Sequence, residues 1–242
     1  MKKVLNITYF ILGLSILVFL VVAGSRKRSA VVCQSIQIQV DTNGDLFFVN
    51  QEMIVDLLVE NQDSVLGKTL EDINIYLLEE FIDEHPNIEK AELYLTLNGK
   101  LCVDVKQRKP IARVFEDKQS YYLDFEINPI PLSDNYSARV VQVYWDELTS
   151  RRKNALRNLL ECISQDEFLK AQITAIEFDE NDEVTMYPRL GDHKIILGKV
   201  EDLSRKFIKL KHFYQLGLEK VGWERYSQIN LKFENQVVCT KK

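Results

Sequence analysis

The chain has 242 residues, 46 % of them hydrophobic and 28 % charged, with a formal net charge of −5. That composition excludes a polytopic membrane protein, a collagen-like repeat and a disordered chain. Residues 4–23 stand apart: they carry no charge, and only Asn6, Thr8, Gly13 and Ser15 among them are not apolar. Beyond residue 28 the chain holds 26 bases against 36 acids, a net of −10. A surface so acidic is a poor match for phosphate backbones, so nucleic acid is not an expected partner.

Twenty helical residues span ~30 Å, the thickness of a bilayer's hydrocarbon core, so 4–23 is expected to be a transmembrane helix. The competing reading is a cleaved signal peptide with Val21-Val22-Ala23 at the cleavage site. Its apolar core would be longer than the ~7–15 residues usual for a signal, and basic residues would follow the cut, which favours an uncleaved anchor. Lys2 and Lys3 precede the segment and Arg26, Lys27 and Arg28 follow it, as membrane-flanking residues that reach the headgroups. The two sides nearly balance, so charge does not decide the orientation.

Val31–Val40 alternates Ile36, Ile38 and Val40 against Gln37 and Gln39, the period of a strand. Asp41-Thr42-Asn43-Gly44-Asp45 turns the chain, and Asn50 is placed to cap a short helix carrying Ile54, Leu57 and Leu58. After a break at Gly67, Thr69 and Asp72 have capping-box spacing before a helical stripe of Leu70, Ile73, Leu77 and Phe81, reinforced by Leu78. His85-Pro86 ends that helix, because a residue before proline resists the helical region. Strands are expected over 88–97 and 101–107, joined by a hairpin at Asn98-Gly99. The order is β-α-α-β-β, with helices free to cover one face of a small sheet.

Pro110 marks a seam. Short strands follow over 111–115, 121–125 and 138–144, with Asn128-Pro129-Ile130-Pro131 in a loop. A helix is expected over 146–164, with Leu148, Ala155, Leu156, Leu159, Leu160 and Ile163 spaced three and four apart. Strands resume over 173–178, 184–187 and 194–197. A second long helix over 202–216 aligns Leu203, Phe207, Leu210 and Tyr214 and is expected to stop at Gly217. Ile229–Phe233 reads as a strand, followed by Val237-Val238.

Chemical motifs are sparse. Asp41-x-Asn43-x-Asp45 with Glu52 imitates a calcium loop but has Leu46 where glycine is needed, so an ordinary turn is expected. Gly191 and Gly198-Lys199 lack the spacing and the hydroxyl residue of a phosphate loop. His85, His193 and His212 show no ligand pattern, and Cys33, Cys102, Cys162 and Cys239 are too dispersed for a metal pair or a Cys-x-x-Cys motif. Bridges among those cysteines and idle thiols both remain open. Acid pairs such as Glu79-Glu80 and Asp179-Glu180 fall on solvated faces or in turns. No metal, cofactor or catalytic residue is expected.

Four stretches resemble the FtsQ/DivIB family of bacterial cell-division proteins. They are His85-Pro86 leading into Ile88, Ala91, Leu93 and Leu95; Val103–Ala112 through Arg108-Lys109-Pro110-Ile111; Tyr121-Tyr122-Leu123-Asp124 with Pro131-Leu132; and Leu197-Gly198-Lys199 with the later Ile229-Asn230-Leu231-Lys232-Phe233. Two positions depart from the pattern: Gln107 stands where an acid is common, and Ile127-Asn128 where a glycine is usual.

The resemblance implies an α+β protein with one N-terminal transmembrane helix, a β-α-α-β-β POTRA domain, and a mixed, mostly-β domain ending in an edge strand. The expected divisions are a cytoplasmic tail (1–3), the transmembrane helix (4–23), a juxtamembrane linker (24–32), the POTRA domain (33–109) and the β domain (110–242). It further implies a non-enzymatic single-pass scaffold of the divisome, in the inner (plasma) membrane at the division site, with a cytoplasmic N-terminus and a periplasmic or extracytoplasmic C-terminal part. The implied partners are the FtsB/FtsL membrane coiled-coil proteins, with no small-molecule substrate. Strand addition at an exposed edge is the expected binding mode, over Tyr226, Ser227, Gln228, Ile229, Asn230, Leu231, Lys232 and Phe233. Tyr226 and Phe233 would be aromatic anchors and Lys232 a rim contact; the competing reading of Ile229, Leu231 and Phe233 is plain core. The alternatives in view are a POTRA-type membrane-anchored chaperone or assembly factor for exported proteins, and an anchored wall enzyme.

Overall fold

Apolar alternation and helical spacing build two compact units, residues Met1–Gln107 and Arg108–Lys242. The protein is seen in a computed structural model that describes residues 12–19, 31–41, 48–61, 65–116, 119–133, 136–145 and 149–242.

In the first unit, residues 12–19 form helix α1 with exposed side chains. No helix among the described residues is long and apolar enough to cross a membrane. The rest of the expected span 4–23 lies outside the described residues, as do the tail 1–3, positions 24–30 of the linker and all five flanking bases, Lys2, Lys3, Arg26, Lys27 and Arg28. So does most of the Asp41–Asp45 turn.

Strand β1 (Ser35–Asp41) alternates exposed and half-buried residues as its sequence requires. Helix α2 (Gln51–Asn61) starts at Asn50, whose Oδ1 accepts the Met53 N–H at 2.8 Å, and buries Ile54 and Leu58. Helix α3 (Ile75–Asp83) begins later than the capping-box spacing suggested: Asn74 is its cap, accepting the Leu77 N–H. The Thr69 hydroxyl instead donates to Asp72 within the preceding turn. The helix buries Leu78 and Ile82 and leaves Leu77 exposed.

Strands β2 (Ile88–Leu95) and β3 (Lys100–Gln107) form the hairpin. The Gly99 N–H donates to Thr96 O, and Gly99 takes φ +76°, a type I turn closed by a glycine bulge. The sheet order is β1-β3-β2, with β1 parallel and β2 antiparallel to β3. Leu101, Val103 and Val105 face the helices and are buried, each contributing about 1.5–3 kcal/mol.

The second unit runs β4 (Ala112–Glu116), β5 (Gln119–Leu123), β6 (Pro129–Ile130), β7 (Val141–Trp145), α4 (Ser150–Ser164), α5 (Glu167–Gln172), β8 (Ile173–Phe178), β9 (Val184–Pro188), β10 (Lys194–Gly198), α6 (Leu203–His212), α7 (Glu219–Val221), β11 (Tyr226–Asn230) and β12 (Val238–Lys241). Among the described residues these strands make one nine-stranded sheet, in the order β12-β11-β10-β9-β8-β7-β4-β5-β6. The pairs β4/β7, β7/β8 and β10/β11 are parallel, and the rest are antiparallel. Parallel neighbours need crossovers, and α4–α5 and α6–α7 supply two of them. β7 and β10 point the same way and both crossovers advance in one direction along the sheet. Their common right hand therefore puts both helical layers on one face. Leu156, Leu159, Leu160, Leu203, Phe207 and Leu210 meet Val143, Ile176, Met186, Ile195 and Ile229 there in a single core.

Four expectations are corrected here. Pro129-Ile130 is a short strand, because β5 offers it an edge. Helix α4 starts at Thr149, whose hydroxyl accepts the Arg152 N–H; Leu148 lies outside the described residues. A further short helix, α5, capped by Asp166, stands between α4 and β8, where no helix is expected because six residues carry too little periodicity. Gly217 does not stop the second long helix: Phe213–Leu218 widens into a π-helical stretch, and the chain turns only at Gly222, φ +89°.

A candidate partner-binding edge

The eight residues read as an exposed edge occupy a different place. β11 (Tyr226–Asn230) is not an edge: β10 pairs with it on one side and β12 on the other. β12 supplies the outer border of the sheet, because the loop after Phe233 returns the chain alongside β11. Sequence alternation registers how many faces a strand buries, not how many neighbours it has, so nothing local distinguishes β11 from β12. The signal nearest to hand was the second apolar pair, Val237-Val238, at strand distance beyond a turn.

Ile229 and Leu231 are fully buried, in agreement with the core reading of those two. Tyr226 is half-buried with its ring 5.8 Å from Phe213. Ser227 Oγ donates to Thr240 O across the β11–β12 pair. Gln228 and Asn230 stand opposite Thr240 and Val238, and Asn230 Oδ1 accepts the Lys232 N–H. Lys232 is not a free rim contact, since its ammonium is bound to both oxygens of Glu183. Phe233 lies beyond the strand and is 46 % exposed.

Lys209 of α6 holds this corner together. Its ammonium donates to the carbonyls of Leu231 and Phe233, and burial holds it below the usual lysine pKa. Beside it lies an open groove of about 390 Å³ lined by Lys209, Phe213, Leu216, Asn235 and Val237 among others. Leu216 is an exposed side chain of that lining, and Phe233 and Val238, on either side of its Asn235–Val237 segment in the chain, are exposed as well. The opposite border of the sheet is β6, two residues long and led by a proline, which suits it poorly to pairing. Behind β10, His193 is 3 % exposed. Its Nε2 bonds the Tyr214 hydroxyl at 2.6 Å, and burial lowers its pKa.

Nothing among the described residues gathers three His, Cys, Asp or Glu side chains for a metal ion. The four cysteines are free, Cys33 and Cys102 buried and Cys162 and Cys239 half-buried.

The fold defines the class: a protein with a POTRA-like unit, over residues 31–106, followed in the chain by a large mixed sheet. The remaining part, residues 109–240, matches the family described as FtsQ/DivIB, C-terminal related, and the chain belongs to the FtsQ/DivIB family of cell-division proteins. Both descriptions are of scaffold domains that are generally non-enzymatic, and neither indicates a catalytic family. No curated protein matches the chain.

Proposed function

We propose that this chain is a single-pass scaffold of the divisome, anchored by residues 4–23 with its N-terminus in the cytoplasm and the segments 33–109 and 110–242 outside the membrane at the division site. It holds FtsB/FtsL-type coiled-coil proteins by strand addition. Family membership supports the setting. The single observation that carries the binding mode is the β12 border: a short strand, paired on one side with β11, beside exposed Val238, Phe233 and Leu216.

The Lys242 N–H donates to Arg225 O, on the β11 side. Alternation along the strand then turns the main-chain groups of Cys239 away from β11, where an added strand finds them. Main-chain bonds there supply affinity, and the groove beside Lys209, lined by apolar Phe213, Leu216 and Val237 and by polar His212, Asn235 and Gln236, supplies side-chain selectivity.

The test is photocrosslinking in living cells, with the probe in turn at Val238, at Phe233 and, as a control, at Glu60 of α2. Capture of small coiled-coil membrane proteins at Val238 and Phe233 but not at Glu60 is expected. Cys239→Pro removes an outward N–H without touching the β11 ladder and should abolish capture in a folded protein. Undiminished capture by that variant sinks the strand-addition mode.

A further inference from the structure

The first unit has two sheet borders, and its own helix occupies one of them. β2 turns the N–H groups of Ala91 and Leu93 away from β3, toward the border. Each meets a carboxylate from α3: Asp83 Oδ1 accepts from Ala91 at 2.5 Å and Glu79 Oε1 accepts from Leu93 at 2.7 Å. The match is geometric. Residues four apart on a helix are separated by roughly one 5.4 Å pitch, and amides two apart on a strand by about 6.6 Å. One turn of α3 running antiparallel to β2 therefore presents two oxygens where the carbonyls of a neighbouring strand would sit.

β2 is also self-complementary. Lys90 and Glu92 flank Ala91 and project onto the exposed face of the sheet, where they pair with each other. A second copy of β2 laid antiparallel about Ala91 brings Lys90 of each chain opposite Glu92 of the other. These are non-hydrogen-bonded positions, where side chains approach most closely.

We propose that β2 is a pairing edge for a second copy of this chain, and that Glu79 and Asp83 keep it closed by taking the two outward N–H groups. The closed state presents charge where an incoming strand needs donors. Removing both carboxylates opens the edge to its own copy.

The experiment uses the full chain in detergent micelles, with sedimentation and amide exchange of the segment Ile88–Leu95 read over a range of protein concentrations. The wild type is expected to stay monomeric, with the Ala91 and Leu93 amides protected at every concentration. Glu79→Ala/Asp83→Ala is expected to lose that protection when dilute, and to regain it as dimers form, at a concentration about tenfold or more below the top of the range over which the wild type stays monomeric. Adding Lys90→Glu to the pair sets like charges opposite one another and should reverse that gain by a similar factor. A folded double variant that stays monomeric overturns the proposal, and so does association indifferent to Lys90→Glu. If the alanine pair does not fold, the isosteric Glu79→Gln/Asp83→Asn pair is decided by the same readouts.

Discussion

Lys232 grips both carboxylate oxygens of Glu183, at 2.8 and 2.7 Å, and its methylene chain fills the space a side chain at residue 198 would need. A Cβ on Gly198 would stand 2.8 Å from Lys232 Cγ, at a backbone φ of +74°. The ion pair is half in solvent, so Lys232→Ala alone is expected to cost under about 1 kcal/mol. Gly198→Ala is expected to cost about 2 kcal/mol from left-handed strain and overlap together. The double variant should fall short of the sum, because the alanine at 232 removes the overlap but not the strain. Denaturant unfolding of the four proteins measures this; strict additivity would mean that the two residues do not compete for space.

Ile127 occupies φ +61° although it is β-branched and only 3 % exposed. It sits in the turn where Asp124 Oδ1 accepts the N–H groups of Glu126 and Asn128, and where Asp124 is paired with Arg108. The family-like pattern has a glycine at this turn, and the angle shows why. Ile127→Ala should cost about 2–4 kcal/mol from the lost burial. Ile127→Gly should be the more stable of the two variants by about 1 kcal/mol, the reverse of the usual order, because glycine releases the strain. A less stable glycine variant in thermal unfolding would contradict this.

Gln107, 2 % exposed, replaces the common acid with a purpose the geometry makes plain. Its Oε1 accepts the N–H groups of Phe48 and Val49 at 3.1 Å, and its Nε2 donates to Asp41 O at 3.0 Å, tying together both ends of the segment between β1 and α2. Gln107→Glu keeps the two acceptor bonds but sets a carboxylate oxygen against the Asp41 carbonyl. A loss of about 1–3 kcal/mol at pH 7 is expected. Protonation restores a donor, so the deficit should narrow as the pH falls through the carboxyl range. A deficit that stays constant with pH would refute the account.

His193 is buried neutral, bonded to Tyr214, with its Nδ1 unpartnered among the described residues. Burial is the main cause of its lowered pKa; Lys242 lowers it further, while Asp192 and Glu224 act the other way. The unfolded chain binds a proton below about 6.5 that the folded one refuses. Stability is thus expected to be full above that pH and to fall as the pH drops below it, until the folded pKa is reached. His193→Gln should flatten that part of the profile while keeping a hydrogen-bonding group toward Tyr214. His85 shares the sign, so the difference between variant and wild type is the quantity to read in a melting series from pH 8 to 5.

Much of the architecture was legible because it is written in local rules. The β-α-α-β-β order follows from one alternating strand, two helical stripes and a hairpin signal at Asn98-Gly99, and Ile173–Phe178 is a strand over the span expected. Where local signals compete, tertiary packing chooses between them. Thr69 offered a cap before Asn74 did, and Gly217 offered a stop that continued packing of Leu218 overrode.

By itself the sequence determined the class of most segments, though not of β6 or α5, together with the buried side chains of most strands and the family resemblance, since period, capping chemistry and turn residues all act within a few positions. Only the tertiary structure decided which strand borders the sheet. Ile229 and Leu231 look the same whether their strand has one neighbour or two, and the return of Val238–Lys241 along β11 settles the matter through hydrogen bonds between residues that no pattern links. The same holds for α3 and β2: Glu79 and Asp83 read as solvated charges until folding brings them onto the N–H groups of Leu93 and Ala91. Pairing is a relation between distant segments, and its energy exists only once both are in place.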